Sequence, residues 1–352
     1  MFKKNRILCL LLVLCVGVFS GCKGASVSNA KASDKYSVVC TIFPEYDWAK
    51  EVIGELGEDY ELTLLLENNV DLHNYQPTAE DISKIAVCDL FIYVGGESDG
   101  WVEDALKEAS NPNMQVINLL EVLGEEVKEE EVVEGMEAEH EHEKEDAHEK
   151  EHEHDGESEH EHEEESEHEH DEEVEYDEHV WLSLRNVEKF VTAITDSLKV
   201  VDSENAAIYE TNCENYVESL KVLDKEYETV VADASQKTLL FGDRFPFRYL
   251  TDDYGLDYYA AFVGCSAETE ASFETIIFLA DKMDELDLKH ILIIENSEQK
   301  IAQTIIENTT AKNQDILVLH SLQSVSNEDI AKGVSYLSVM QDNLEILKTA
   351  LN

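Results

Sequence analysis

Positive charge is scarce in this chain of 352 residues: 26 Lys and Arg stand against 79 Asp and Glu, a formal net charge of −53. A phosphate-binding surface needs clustered cations, so nucleic acid is excluded as a partner. The same scarcity argues against docking on anionic lipid head groups through a basic patch. Cysteine is sparse and widely spaced, seven in all with no CxxC pair. A disulfide framework and a zinc site built on paired thiolates are therefore not expected. No Ser-His pair or Gly-rich phosphate loop is present, and the HExxH match at His148 to His152 sits in a low-complexity acidic run rather than on an amphipathic helix, which argues against the common hydrolytic and nucleotide-binding classes. The longest apolar run near the start, Ile7 to Phe19, is too short to cross a bilayer as a helix. What the chain does have is apolar mass, 43% of its residues, enough to bury a core, and a length that suggests about two domains.

The acid is concentrated. Residues 125–175 hold 25 Glu and 3 Asp against 3 Lys, a local net charge of −25, and nine of the 13 histidines. These are His140, His142, His148, His152, His154, His160, His162, His168 and His170, in repeats of His-Glu-His. Beyond a few Val and Met at its start the segment has almost nothing to bury, so it reads as a disordered acidic loop. The N-terminus has Lys3, Lys4 and Arg6 before the apolar run, then Phe19-Ser20-Gly21-Cys22. This reads as a lipoprotein signal peptide over residues 1–21, with Cys22 as the lipidated residue of the mature chain. A Ser/Ala/Lys-rich flexible tether follows over 22–35.

The rest alternates short apolar runs with helical patterns. VVCTIF, ELTLLL, DLFIYVG and QVINLL read as buried strands of an N-terminal α/β lobe over 36–124. KTLLFG, LDYYAAFVG, HILIIEN and DILVLH read as those of a C-terminal α/β lobe over 236–352, closed by a helix from about Asn327 to Ala350. Residues 176–185 return to the N-terminal lobe, and 186–235 are helical with almost no breaker. The expected fold class is α/β: two lobes, each with a mostly parallel sheet flanked by helices, joined by a long rigid helix, with the ligand in the cleft between them.

Only His73, His179, His290 and His320 lie outside the acidic run. His73 (VDLHNYQPT), His179 (DEHVWLS) and His320 (DILVLH) fall at loops or strand ends, where a cleft forms; His290 opens a strand and lacks that setting. Neutral imidazole is a favoured zinc ligand, and a closed zinc site takes four. Asp243, at the end of KTLLFG, is the candidate fourth, although Asp there also suits a helix cap. Asp177 and Glu178 flank His179 as candidate acceptors for its second N–H, or as plain solvated acids.

These segments, in this order, resemble the zinc and manganese solute-binding lipoproteins of bacterial ABC importers. TIFPEYDWAKEVIGE is similar to that family's opening strand and helix, VDLHNYQPTAEDI to its first ligand motif and DEHVWLS to its second; GCSAETEAS, IIENSEQK and GVSYLSVMQDNLE also match. The acidic His-rich loop is typical of zinc-selective members. The resemblance implies His73 and His179 as ligands and puts His320 where manganese-type members carry an Asp. At the third motif the family has His or Glu three residues before Phe-x-Tyr, but DRFPFRYL places Arg244 there, and Arg cannot coordinate a metal. The expected set is therefore His73, His179, Asp243 and His320, the alternative being three histidines and a water with Arg244 paired to an acid. Such ligands suit Zn²⁺ better than Mn²⁺. The histidines of the tract would be weak auxiliary sites, losing metal as pH falls through about 6.5.

The resemblance implies an extracytoplasmic receptor, anchored through its lipid to the outer face of the cell membrane, monomeric, handing Zn²⁺ to an ABC permease and its ATPase. The competing readings are a zinc-dependent hydrolase, for which an open coordination position would be the mark, and a surface zinc buffer or adhesin.

Overall fold

The computed structural model describes residues 35–67, 70–137, 175–266 and 270–352. The signal, Cys22, most of the tether and all nine histidines of the tract lie outside the described residues.

All eight expected strands form, in two four-stranded sheets of one topology. The first holds β1 (Tyr36–Cys40), β2 (Tyr60–Leu64), β3 (Leu90–Tyr93) and β4 (Gln115–Asn118) in the order β2-β1-β3-β4, every pairing parallel. The second holds β5 (Thr238–Phe245), β6 (Asp257–Val263), β7 (His290–Ile293) and β8 (Asp315–Val318) in the order β6-β5-β7-β8, again parallel. Their unbroken apolar character follows from helices covering both faces. In each sheet the order reverses beside the first strand, so the loops leaving the strand C-termini line a crevice there.

The N-terminal lobe carries α1 (Phe43–Ile53), α2 (Ala79–Val87), α3 (Val102–Lys107) and α4 (Leu119–Leu123). Pro44 supplies the preset φ of the first turn of α1, and Glu45 accepts from the Thr41 and Ile42 backbone N–H groups at 2.8 and 3.2 Å. α5 (Leu184–Val201) and α6 (Ala206–Asp233) follow. At one end of α6, Tyr209 bonds Tyr60 and Asp202, and Asn212 donates to the Val52 carbonyl. Nearer the other end, Tyr227 donates to the Met340 carbonyl at 2.6 Å. One helix of 28 residues thus bonds to both lobes.

The C-terminal lobe adds α7 (Arg248–Tyr254), α8 (Phe273–Glu285), α9 (Lys300–Asn308), α10 (Asn327–Ala331) and α11 (Tyr336–Ala350). The closing helix is thus two helices. The chain breaks at Gly333, whose φ of +90° no other residue adopts readily, and Ser335 caps the restart.

One buried core runs through both lobes and the helices between them. Trp48 of α1 packs on Phe190 of α5 and Tyr336 of α11, with ring centroids 5.7 and 5.3 Å apart. Burying each such ring stabilises by about 1.5–3 kcal/mol. Tyr336 donates to the Trp181 carbonyl, and the Trp181 indole donates to the Ser321 carbonyl. A second, smaller core lies among α8, α9 and the C-terminal sheet.

The acidic segment starts later than its composition suggests. Residues 125–137 belong to the fold: Glu129 bridges Tyr176, Glu137 bridges Phe262, and Met136 is buried. Val133 and Met136 anchor it, while Glu130 and Glu131 accept from the Cys265 N–H and the Tyr258 hydroxyl. Three of the glutamates here, Glu130, Glu131 and Glu137, thus serve as hydrogen-bond acceptors for the C-terminal lobe.

Candidate metal centre

His73 and His179 meet from two separate segments of the N-terminal lobe. A short helical turn, Leu72–Asn74, presents His73, and the Asp71 carboxylate caps that turn by accepting the His73 N–H at 3.1 Å. His179 precedes α5 and is fully buried, its backbone N–H donating to Asp177 at 2.8 Å. The two Nε2 atoms stand 3.2 Å apart.

Each ring is oriented through its other nitrogen. Nδ1 of His179 lies 3.0 Å from the Asp177 carboxylate, which accepts its N–H. Nδ1 of His73 lies 2.8 Å from Ser98 Oγ, with Glu178 Oε2 behind it at 3.7 Å. The Asp177 carboxylate only accepts, so the His179 proton sits on Nδ1 and its Nε2 is bare; the His73 tautomer that donates from Nδ1 to Ser98 leaves a second bare Nε2 3.2 Å away. A tetrahedral zinc, with Zn–N of about 2.0–2.1 Å, holds two nitrogens about 3.3–3.4 Å apart. The observed separation is close to that span. Asp177 and Glu178 are 3% and 2% exposed, so they are interior acceptors and not solvated acids. Glu178 also accepts the Ser98 N–H at 2.9 Å, and Gly96, at φ +81°, leaves room where a Cβ would strike its carboxylate.

Burial and the adjacent His179 push the His73 imidazole well below its ordinary value, against the pull of Asp71. A neutral ring is the form that coordinates a cation. Burial raises the Glu178 carboxyl.

The C-terminal lobe closes over this pair with residues that sequence reasoning did not select. The Gln323 amide, 3% exposed, lies 2.7 Å from His179 Nε2 and 3.2 Å from His73 Nε2. Its loop is clamped by Glu295, which accepts from Ser321 N and Oγ, both at 2.7 Å. The Sγ of Cys265, at the end of β6, lies with a ring nitrogen of each histidine inside a 4.8 Å group. The only advance signals were that GCSAETEAS is one of the resembling segments and that LHSLQS follows a strand end.

Asp243 and His320 are not brought to the pair; neither belongs to that group. Asp243 spends its oxygens on backbone, Oδ1 accepting from Arg244 N at 2.9 Å and Oδ2 from Ile294 N at 3.4 Å. His320 accepts the Leu322 N–H on Nδ1 at 2.9 Å, its backbone pairs with Asn343, and its side chain is 31% exposed. A strand-end position did not determine where either side chain points. Arg244 pairs across the lobes with Asp71 at 2.6 Å. Burial alone would raise the Asp71 carboxyl, but the Arg244 guanidinium and the adjacent His73 together outweigh it and hold the group below its usual range. A cleft of about 550 Å³ lies beside this ion pair, lined by Asn74, Asp243, Ser266 and Glu295 among others.

Comparison with known proteins decides the family. The family model described as zinc-uptake complex component A, periplasmic (ZnuA), matches residues 38–350. The chain belongs to the ZnuA family. The high-affinity zinc uptake system protein ZnuA of Bacillus subtilis is 32% identical over 343 residues, covering 97% of this chain and 95% of that protein. Zinc-binding protein AdcA of Streptococcus pyogenes serotype M3 is 29% identical over 96% of this chain, which spans only 60% of AdcA. Among solved structures, the metal-dependent lipoprotein YcdH of B. subtilis matches at 26% identity and a TM-score of 0.67, covering 90% of this chain and 99% of that one. The Zn(II)-bound ZnuA-like domain of Streptococcus pneumoniae AdcA matches at 26% identity and 0.65, with the same coverage. These neighbours agree with the two-lobed α/β architecture. Among the described residues no helix is long and apolar enough to cross a membrane.

Proposed function

We propose that the protein is the extracytoplasmic receptor of an ABC importer, capturing Zn²⁺ between its lobes and delivering it to a membrane permease and its ATPase. The reading includes a lipid anchor at Cys22, a location on the outer face of the cell membrane and a monomeric state. Curated relatives are named zinc-binding lipoprotein and high-affinity zinc uptake protein, which supports it. The observation that carries it is the meeting of the fully buried His179 imidazole with the largely buried one of His73, each with Nδ1 satisfied and the two Nε2 atoms 3.2 Å apart. His73 and His179 are the metal ligands in this reading, and Zn²⁺ suits them better than Mn²⁺. Asp243 and His320 are set aside because neither belongs to the group of ligand atoms that gathers around the imidazole pair.

Transport is favoured over hydrolysis because Gln323 and the C-terminal lobe cover the imidazole pair, where a hydrolase needs an accessible metal-bound water. The tract histidines serve in this account as a low-affinity collector feeding the cleft. Zinc titration calorimetry tests both levels. The full chain should show one tight site and several weaker ones. His73→Ala should abolish the tight one and growth under zinc limitation, and deletion of residues 138–172 should remove only the weaker ones. A tight site indifferent to His73 would refute the receptor reading, and unchanged stoichiometry after the deletion would refute the role of the tract.

A further inference from the structure

Resting on the receptor reading, we infer that Cys265 is a thiolate ligand of the captured ion, donated by the C-terminal lobe, and that it biases the cleft towards thiophilic divalent ions. Sγ of Cys265 and ring nitrogens of His73 and His179 all lie within 4.8 Å of one another, and this is the one group of metal-ligating side chains that close among the described residues. The thiol is not alone: among the described residues it joins the one pair of imidazoles whose Nε2 atoms lie within 3.2 Å of each other.

The approach is built into the backbone. β6 ends against His179: a Cβ added at Gly264 would sit 2.9 Å from the ring's Cε1. Only glycine lets the strand press the next residue, Cys265, onto the site. The Cys265 N–H is held in turn by Glu130 at 3.2 Å, a residue of the ordered part of the acidic segment. The other mature cysteines are placed differently. Cys40 and Cys88 are fully buried in the N-terminal lobe, and Cys213 lies on α6. The candidate donors of the C-terminal lobe suggested by strand ends, Asp243 and His320, lie outside that group, and each is engaged by a local backbone N–H. A site closed by both lobes therefore draws its third anionic or basic donor from Cys265.

The chemistry balances simply. The ion replaces the thiol proton, which leaves to solvent, and a metal–sulfur bond forms with no change of oxidation state. With Zn–S of about 2.3 Å and Zn–N of about 2.0–2.1 Å, sulfur and nitrogen in a zinc tetrahedron lie about 3.5 Å apart. A half-turn of the Gln323 amide presents its oxygen as the fourth donor. Thiolate ligation suits Zn²⁺ and disfavours Mn²⁺, which prefers oxygen.

Cobalt(II) is the probe, added to the reduced full-length chain. The expected result is an intense near-ultraviolet sulfur-to-cobalt charge-transfer band that saturates with the tight site. Cys265→Ser should lose that band and bind Zn²⁺ at least tenfold more weakly, with Mn²⁺ affinity unchanged. Cobalt bound at a His73-dependent site without the band would overturn the role of Cys265 and leave the receptor reading intact. A band that survives in Cys265→Ser would overturn it too. Absence of any His73-dependent cobalt site would instead bring down the receptor reading itself. Because the wild-type spectrum alone can refute the inference, the test does not depend on how well the variant folds.

Discussion

The two lobes share one sheet topology but contribute to the site in opposite ways. The N-terminal lobe holds its two histidines rigidly, each ring fixed at Nδ1 and each backbone N–H or turn fixed by an aspartate. The C-terminal lobe contributes groups whose partners lie across the cleft: Gln323 on the imidazoles, Arg244 on Asp71, Cys265 beside both rings. One lobe presents a preorganised half-site; the other closes on it. The helical segment bonded to both lobes and the shared core make that closure a small adjustment, not a wide hinge.

The sharpest way to break this comparison is to remove a fixed ring. His179→Ala should weaken zinc binding by more than about 100-fold, beyond the loss that an outer partner brings. Asp177→Asn keeps the ring but loses the charged acceptor at Nδ1, and calorimetry should show a loss of about 10- to 100-fold. Arg244→Met tests the closing side. Both ends of its ion pair are under a fifth exposed, so the expected loss is about 1–3 kcal/mol of stability, between an exposed and a fully buried pair, measured by denaturant unfolding. Asp243→Ala and His320→Ala should change zinc affinity by less than about threefold, since neither side chain reaches the imidazoles.

Stability against pH separates two further groups in the N-terminal lobe. The fold holds His73 neutral well below its ordinary value, whereas the unfolded chain takes up that proton near pH 6.5. The unfolded state binds more protons there, so metal-free stability should fall as pH drops below about 6.5. Glu45 acts in the opposite sense. Burial, with the nearby Asp99 adding to it, raises its carboxyl to about 8, so its contribution is complete below about 4.3 and is lost as pH rises through about 8. Unfolding curves should flatten on the acid side in His73→Gln and on the alkaline side in Glu45→Gln; unchanged limbs would contradict the assignment.

The sequence was most legible where a pattern repeats. Eight apolar runs between helical stretches predicted eight strands, because a buried parallel strand needs continuous apolar character. His73 and His179 stood out because they were isolated histidines at loop positions. Gln323 and Cys265 carry no spacing signal; they become visible only when β6 and the loop after β8 are placed against the other lobe. Asp243 and His320 show the converse, with the right residue types at the right strand ends but side chains caught by local backbone N–H groups. The edge of the acidic segment was misplaced because composition averages over Val133 and Met136, two apolar anchors among many glutamates.

The most direct test of the central claim is anomalous scattering at the zinc absorption edge from a crystal of the zinc-loaded protein. The account predicts a single strong peak in the cleft, about 2.0–2.1 Å from Nε2 of both His73 and His179. A peak bound instead by Asp243 and His320, away from that pair, would contradict it.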